Sequence, residues 1–151
     1  MSAASIKKII SCSKKNLIDM VLDIEQYPQF VPWCLDGKIH EKKDVGDFIE
    51  IKADLKVGKK FINETYSSLV LYSKKKDLIT VTNIKGPLKH LKNEWKFKEI
   101  NNKTQLNFSI DFELQNSFLN MIMKNYFNFG LNKITDAFEK RAIDLSKKNS
   151  Q

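Results

Sequence analysis

Few side chains in this sequence are of the kinds that do covalent or acid–base chemistry. His40 and His90 are the only histidines, and Cys12 and Cys34 the only cysteines, among 151 residues. An active centre needs a nucleophile, an acid–base pair or a metal in convergent positions. His40 and His90 lie far apart, and His90 follows a Gly86-Pro87 turn, where a solvated loop histidine is expected. Cys34 reads as a small buried residue and not as a reactive thiol. The cysteines lack a metal-ligand spacing, and no Gly-rich phosphate loop occurs. Asp111 and Glu113 alternate with apolar residues and should face solvent. Asp44, Asp47, Asp54, Glu64 and Glu94 form no paired set. The expectation is a protein without catalytic residues, metal or cofactor.

Polar residues inside apolar runs point elsewhere. Asn93 sits between Leu91 and Trp95, while Asn63, Thr65 and Ser67 alternate after Phe61. An inward amide or hydroxyl could orient the polar end of an apolar ligand. For Asn93 taken singly, the preferred reading is a bond to neighbouring backbone or to water. The stretch EQYPQFVPWC, residues 25–34, also stands out, because Tyr27, Phe30 and Trp33 are interrupted by Pro28 and Pro32. A helical turn over Gln26 to Val31 puts Tyr27, Phe30 and Val31 on one side by their i, i+3, i+4 spacing. Pro32 then disfavours helical geometry at Val31 and turns the chain away. These rings can plug an end of the core or wall a cavity.

The elements that must position these residues follow from periodicity. A first strand is expected over Ala4 to Cys12, then a helix over KKNLIDMVLDI capped by Ser13, with Leu17, Ile18, Val21, Leu22 and Ile24 on its apolar side. FIEIKADLKV, LKNEWKFKEI and QLNFSIDFEL each alternate apolar and polar residues, the mark of strands with one covered face. KFINETYSSLVLY and LITVTNI are further strands, and Asn101-Asn102 is a hairpin turn. From Ser117 the period becomes helical. One apolar stripe runs through Met123, Phe127, Leu131, Ile134, Phe138, Ala142 and Leu145. A second, confined to the first half of the helix, contains Phe118, Leu119, Ile122, Tyr126 and Phe129. Covering a sheet does not require it, so it should meet a ligand, the aromatic segment, a second subunit or a membrane. The order is strand, short helices, a meander of about six strands, then one long helix. It implies one α+β domain over residues 1–151, with a curved antiparallel sheet around the C-terminal helix and room for an apolar ligand between them.

Charge adds little. The formal net charge of +8 permits contact with phosphates or an anionic membrane. Yet the lysines are scattered in pairs, and Asn and Ile are also abundant, as an AT-rich coding bias would produce. No apolar run approaches the ~20 residues that span a bilayer. MSAASIKKII contains neither a signal-peptide core nor an Arg-rich transit segment. The expected location is cytoplasmic, with peripheral contact at the inner membrane allowed.

YPQFVPWC at 27–34, GPLKHLKNEWKF at 86–97, IDFEL at 110–114 and DAFEKRA at 136–142 occur in this order along the chain. Together they resemble the coenzyme Q-binding, polyketide cyclase-like branch of the START superfamily. The resemblance covers essentially the whole chain. It implies a helix-grip fold with an internal apolar cavity, and ubiquinone or a related isoprenoid lipid as bound ligand. The same branch includes ribosome association toxins, so the large ribosomal subunit is the alternative partner. Family members often carry phenylalanine after the Gly-Pro pair, where this chain has Leu88, with less ring area near the expected mouth. The residues expected at the ligand are Tyr27, Phe30, Trp33, Phe61, Leu88, Leu91, Asn93, Trp95, Phe112, Ile122, Tyr126 and Phe127.

Overall fold

The computed structural model describes residues 2–59 and 62–149. β1 (Ser2–Ile10) leads to α1 (Lys14–Leu22) and a 3-10 segment (Ile24–Gln29). Six strands follow: β2 (Cys34–Asp44), β3 (Phe48–Lys59), β4 (Ile62–Ser73), β5 (Leu78–Lys85), β6 (Leu88–Ile100) and β7 (Lys103–Leu114). The chain ends in α2 (Ser117–Asn149), 33 residues long. The strands form one seven-stranded sheet in the order β1-β7-β6-β5-β4-β3-β2. Every neighbouring pair is antiparallel. β1 and β2 are therefore opposite edges, and α1 with the 3-10 segment carries the chain between them.

Local chemistry accounts for the turns. The Ser13 side chain accepts a hydrogen bond from the Asn16 N–H at 3.2 Å and caps α1, as expected. Asn101 and Asn102 have φ of 47° and 67°, the left-handed pair of a type I′ hairpin that matches strand twist. Gly86 has φ 131°, and a Cβ there would stand 2.9 Å from the Thr65 carbonyl oxygen, so the β5–β6 turn presses closely on β4. Gly37 serves the same purpose at β2, where a Cβ would collide with the Ile24 carbonyl. Register shifts in β2, between β4 and β5, and in β6 add local bends that help curve the sheet.

The concave face holds the core. Ile51 and Ala53 of β3, Val70 of β4, Ile79 of β5, Trp95 and Phe97 of β6 and Leu106 and Phe108 of β7 are buried there. The second half of α2 lies across them with Leu131, Phe138 and Ala142. The long stripe thus faces the sheet, as its spacing predicts; the Met123 side chain lies outside the described residues. Phe138 is the hub. Its ring meets Tyr27, Phe30 and Trp95 edge-on, with centroids 5.2, 5.1 and 5.0 Å away.

Three expectations need adjustment. β1 ends at Ile10, and Cys12 is buried beyond it, with its carbonyl accepting from the Thr104 hydroxyl at 2.8 Å. The helical turn starts earlier than Gln26, spans Ile24–Gln29 and is 3-10. The inner face of β4 has the opposite parity. Ser68 and Tyr66 lie opposite Ala53 and Leu55 of the covered β3 face. Ser67 instead donates to Asp54 on the outer face at 2.6 Å, so Asn63, Thr65 and Ser67 make no interior polar patch.

Removing the hub ring should cost about 3–5 kcal/mol. Phe138→Ala is accordingly expected to lower the free energy of unfolding by that amount in urea titration, with the slope against denaturant little changed.

Candidate functional site

The first half of α2 spans a hollow. Between it and the sheet lies a cavity of about 730 Å³ that opens to solvent. β6 contributes Leu88 and Leu91, and β7 contributes Ile110, Phe112 and Leu114. Val57, Gly58, Glu64 and Tyr66 come from the β3–β4 arm, and α2 closes the remaining side with Tyr126, Phe129 and Gly130. Behind it lies an inner cavity of about 250 Å³, deeper between sheet and helix. Its walls include Tyr27, Leu55, Val81, Trp95, Ile134 and Phe138.

Trp33 borders both cavities. Its position follows from the Val31-Pro32-Trp33 sequence. Proline turns the chain out of the 3-10 segment, and Trp33 adopts φ 65°, a left-handed conformation rare for a bulky residue. Its carbonyl accepts from the Gly58 N–H at 3.0 Å, which ties the turn to β3. The indole lies so near α2 that a Cβ on Gly130 would stand 3.8 Å from two of its ring carbons. The second apolar stripe of α2 ends at this glycine.

The polar groups inside are mostly satisfied. Asn93 is buried, donates to the Ser109 carbonyl at 2.8 Å and accepts from the Trp95 indole N–H at 2.7 Å. This is the backbone-bonded arrangement preferred on sequence grounds. It orients Trp95 and anchors β6 to β7. The Tyr27 hydroxyl donates to the Val21 carbonyl, and burial raises the tyrosine above its ordinary range. Burial likewise pushes the Cys34 thiol up, against reactivity at neutral pH.

The residues expected at a ligand fall into three groups. Trp33, Leu88, Leu91, Phe112 and Tyr126 line the outer cavity, and Tyr27, Asn93 and Trp95 line the inner one together with Trp33. Phe30, Ile122 and Phe127 are placed elsewhere. Phe30 packs on Phe138, beneath the Arg141 guanidinium at 5.2 Å, and borders a separate cleft at the other end of α2. The aromatic segment is thus divided: Tyr27 and Phe30 pack on Phe138 in the core, Tyr27 also bordering the inner cavity, and Trp33 walls both cavities. Phe127 stacks at a tilt on Phe112, with centroids 5.3 Å apart. Ile122 is exposed with Phe118, Tyr126 and Phe129 of the second stripe, while Leu119 is half-buried. Phe61 lies outside the described residues. Glu64 and Tyr66 were missed; the β3–β4 register, which aligns them with Val57 and Leu55, would have revealed them.

Away from the cavities, both histidines meet acids on the sheet. His40 Nε2 approaches Asp54 at 2.8 Å, and Asp54 also accepts from Ser67. These contacts hold the Asp54 carboxyl below its usual range, the Ser67 bond first and His40 second. His90 lies on β6, not in a loop, 3.7 Å from Asp111. Among the described residues, no group of three or more His, Cys, Asp or Glu is placed to hold a metal ion.

The chain is 34% identical to the ribosome association toxin RatA of Rickettsia prowazekii, over 93% of this chain and 95% of that protein. It is 32% identical to a mitochondrial coenzyme Q-binding protein of Dictyostelium discoideum, over 86% of this chain and 63% of the relative. A START superfamily protein from Mycobacterium smegmatis superposes with a TM-score of 0.79 at 18% identity, over 95% of this chain and 98% of that one. An aromatase/cyclase from Streptomyces sp. R1128 does so with 0.78 at 13%, over 93% of each. Both share the helix-grip fold. Residues 15–139 match the polyketide cyclase / dehydrase and lipid transport family, and the chain, as its motifs implied, belongs to that START-like family.

Proposed function

We propose that this protein is a non-catalytic carrier of an isoprenoid quinone, ubiquinone or a close relative, supporting quinone biosynthesis or respiratory electron transport. The observation that carries this reading is the outer cavity of about 730 Å³, apolar over most of its wall and open at one end. A volume of this size suits a ring with a folded or partly protruding tail. The coenzyme Q-binding relative supports the choice of ligand class. Non-catalysis is favoured because, among the described residues, Glu64, Tyr66 and Tyr126 are the ionisable ones lining this cavity.

The exposed half of α2 supports a peripheral membrane contact. Phe118, Met121, Tyr126 and Phe129 are each 61–64% exposed, and Ile122 is 39% exposed. Tyr126 and Phe129 also line the mouth, so the patch is continuous with the opening. Lys89 and Lys124 are exposed in the flanking segments, which favours an anionic surface. The carrier would work from the cytoplasm, touching the inner membrane with this edge while ligand passes.

A second reading, binding to the large ribosomal subunit, draws on the 34% identity to RatA and the formal charge of +8. Such binding would weaken steeply with salt.

Purification from a quinone-making host tests the two directly. The carrier reading expects isoprenoid quinone in an apolar extract, or uptake of added quinone by the folded protein. Co-sedimentation with ribosomes without either would favour the second reading. Trp33→Ala should weaken ligand retention more than stability, whereas Tyr27→Ala should cost about 3–5 kcal/mol of stability; thermal melts beside quinone titrations measure both. Ile122→Ser with Phe129→Ser should leave the sheet intact and slow quinone loading from liposomes more than from detergent micelles. Equal loading from liposomes by mutant and wild type would remove the membrane-docking role.

A further inference from the structure

Two polar side chains interrupt the apolar wall of the outer cavity on its β4 side. Glu64 and Tyr66 occupy consecutive inward positions of the strand, opposite Val57 and Leu55 of β3, about 7 Å apart along the chain. Their backbone is held in place, because Gly86 closes on Thr65 and Tyr66 so tightly that a Cβ there would stand 2.9 Å from the Thr65 oxygen and 3.4 Å from the Tyr66 Cα. Neither side chain has a hydrogen-bond or ion-pair partner among the described residues. The contrast is with Tyr27 and Asn93, whose polar atoms are engaged by the protein.

The two groups have different capacities. Burial first, and the Glu64 charge second, hold the Tyr66 phenol above its ordinary range. At neutral pH it is therefore a hydroxyl with a proton to donate. A carboxylate only accepts. A phenolic hydroxyl on a ligand can meet both at once, donating to Glu64 and accepting from Tyr66. A quinone carbonyl can meet only Tyr66, and it turns its lone pairs towards the carboxylate.

We infer that Glu64 and Tyr66 form a head-group subsite that prefers a hydroxylated ring, a hydroquinone or phenolic precursor, over the oxidised quinone. This rests on the carrier reading and deepens it. The ring sits at the β4 side of the mouth, and the tail runs along Leu91 and Phe112 towards Trp33. A site built to pair a ligand hydroxyl discriminates strongly against the analogue that lacks it, because its own polar groups are then left unmatched. Glu64 is exposed to solvent at the mouth, which reduces this to a preference of roughly tenfold.

The test uses the full chain with a short-tailed ubiquinone analogue and its hydroquinone, the latter kept anaerobic, titrated by calorimetry. Wild type should bind the hydroquinone about tenfold more tightly. Glu64→Gln, which can donate to a carbonyl, should bring the ratio near one or invert it. Tyr66→Phe should weaken both forms while Glu64 retains the order of preference. Melting temperatures verify that each variant is folded. Equal binding of the two forms by wild type, or an unchanged ratio in Glu64→Gln, overturns the subsite and leaves the carrier reading standing. Failure of folded wild type to bind either form overturns both.

Discussion

The edge-on packing of Phe138 against Tyr27, Phe30 and Trp95 is the constraint from which the rest of the molecule follows. It joins the three parts of the chain that are distant in sequence: the segment between the sheet edges, the middle of β6 and the C-terminal helix. Such ring pairs contribute about 0.5–1.5 kcal/mol each beyond the area they bury. Their geometric effect is larger. At 33 residues α2 is about 50 Å long, more than the concave face needs. Once Phe138, Ala142 and Leu131 are seated, the first half must project over the other end of the sheet, where it meets the sheet through Phe127 on Phe112. The cavity is what remains under a helix seated on the core by its second half and tied to the end of β7 by the Asn120 side chain.

Trp33 shows how the same constraint produces a boundary within that space. Tyr27 and Phe30 are held by Phe138, so the chain leaving them has little freedom, and Pro32 removes more. The left-handed conformation of Trp33 costs on the order of 1–3 kcal/mol and persists because both flanks are tied, to Phe138 on one side and Gly58 on the other. The result is an indole set against Gly130, between a deep compartment and an open one. Two prolines among three aromatics, puzzling as a surface sequence, are what divides one segment into a plug and a wall.

Much of this was legible in the sequence where one face of an element is wholly apolar. β3, β6 and β7 were readable from alternation, and α2 from its long stripe, because burial of Ile51, Trp95, Leu106 or Phe138 selects the residue type at each inward position. Asn101-Asn102 was readable because few residues tolerate its dihedral angles. β2 was not. Its register shifts at Cys34/Asp36 and Ile39/Glu41 break the period of two, and most of its residues are exposed. β4 is legible as a strand, but its faces are not. Leu69 and Leu71 on its outer side are half-buried, as are Tyr66 and Ser68 on the inner side, so the two faces differ little in composition. The polar part of the candidate site lies on this strand, which is why Glu64 and Tyr66 are not legible as cavity residues while the apolar walls are.

Charge is distributed in a way that separates the interior from the outer surface. On the convex face lysines stand beside acids: Lys52 and Lys43 with Glu41, Lys92 with Glu94, and His40 with Asp54. Exposed pairs of this kind contribute about 0–1 kcal/mol each and are weakened further by salt. Their larger effect is to divide the positive potential into small, partly compensated areas. The +8 of the whole chain therefore does not gather on the sheet. The surface least like its surroundings is instead the apolar edge of α2 at the cavity mouth, where Phe118, Met121, Tyr126 and Phe129 are exposed together. A partner that recognises this molecule by its most distinctive surface would meet it there, beside the opening and not across the sheet.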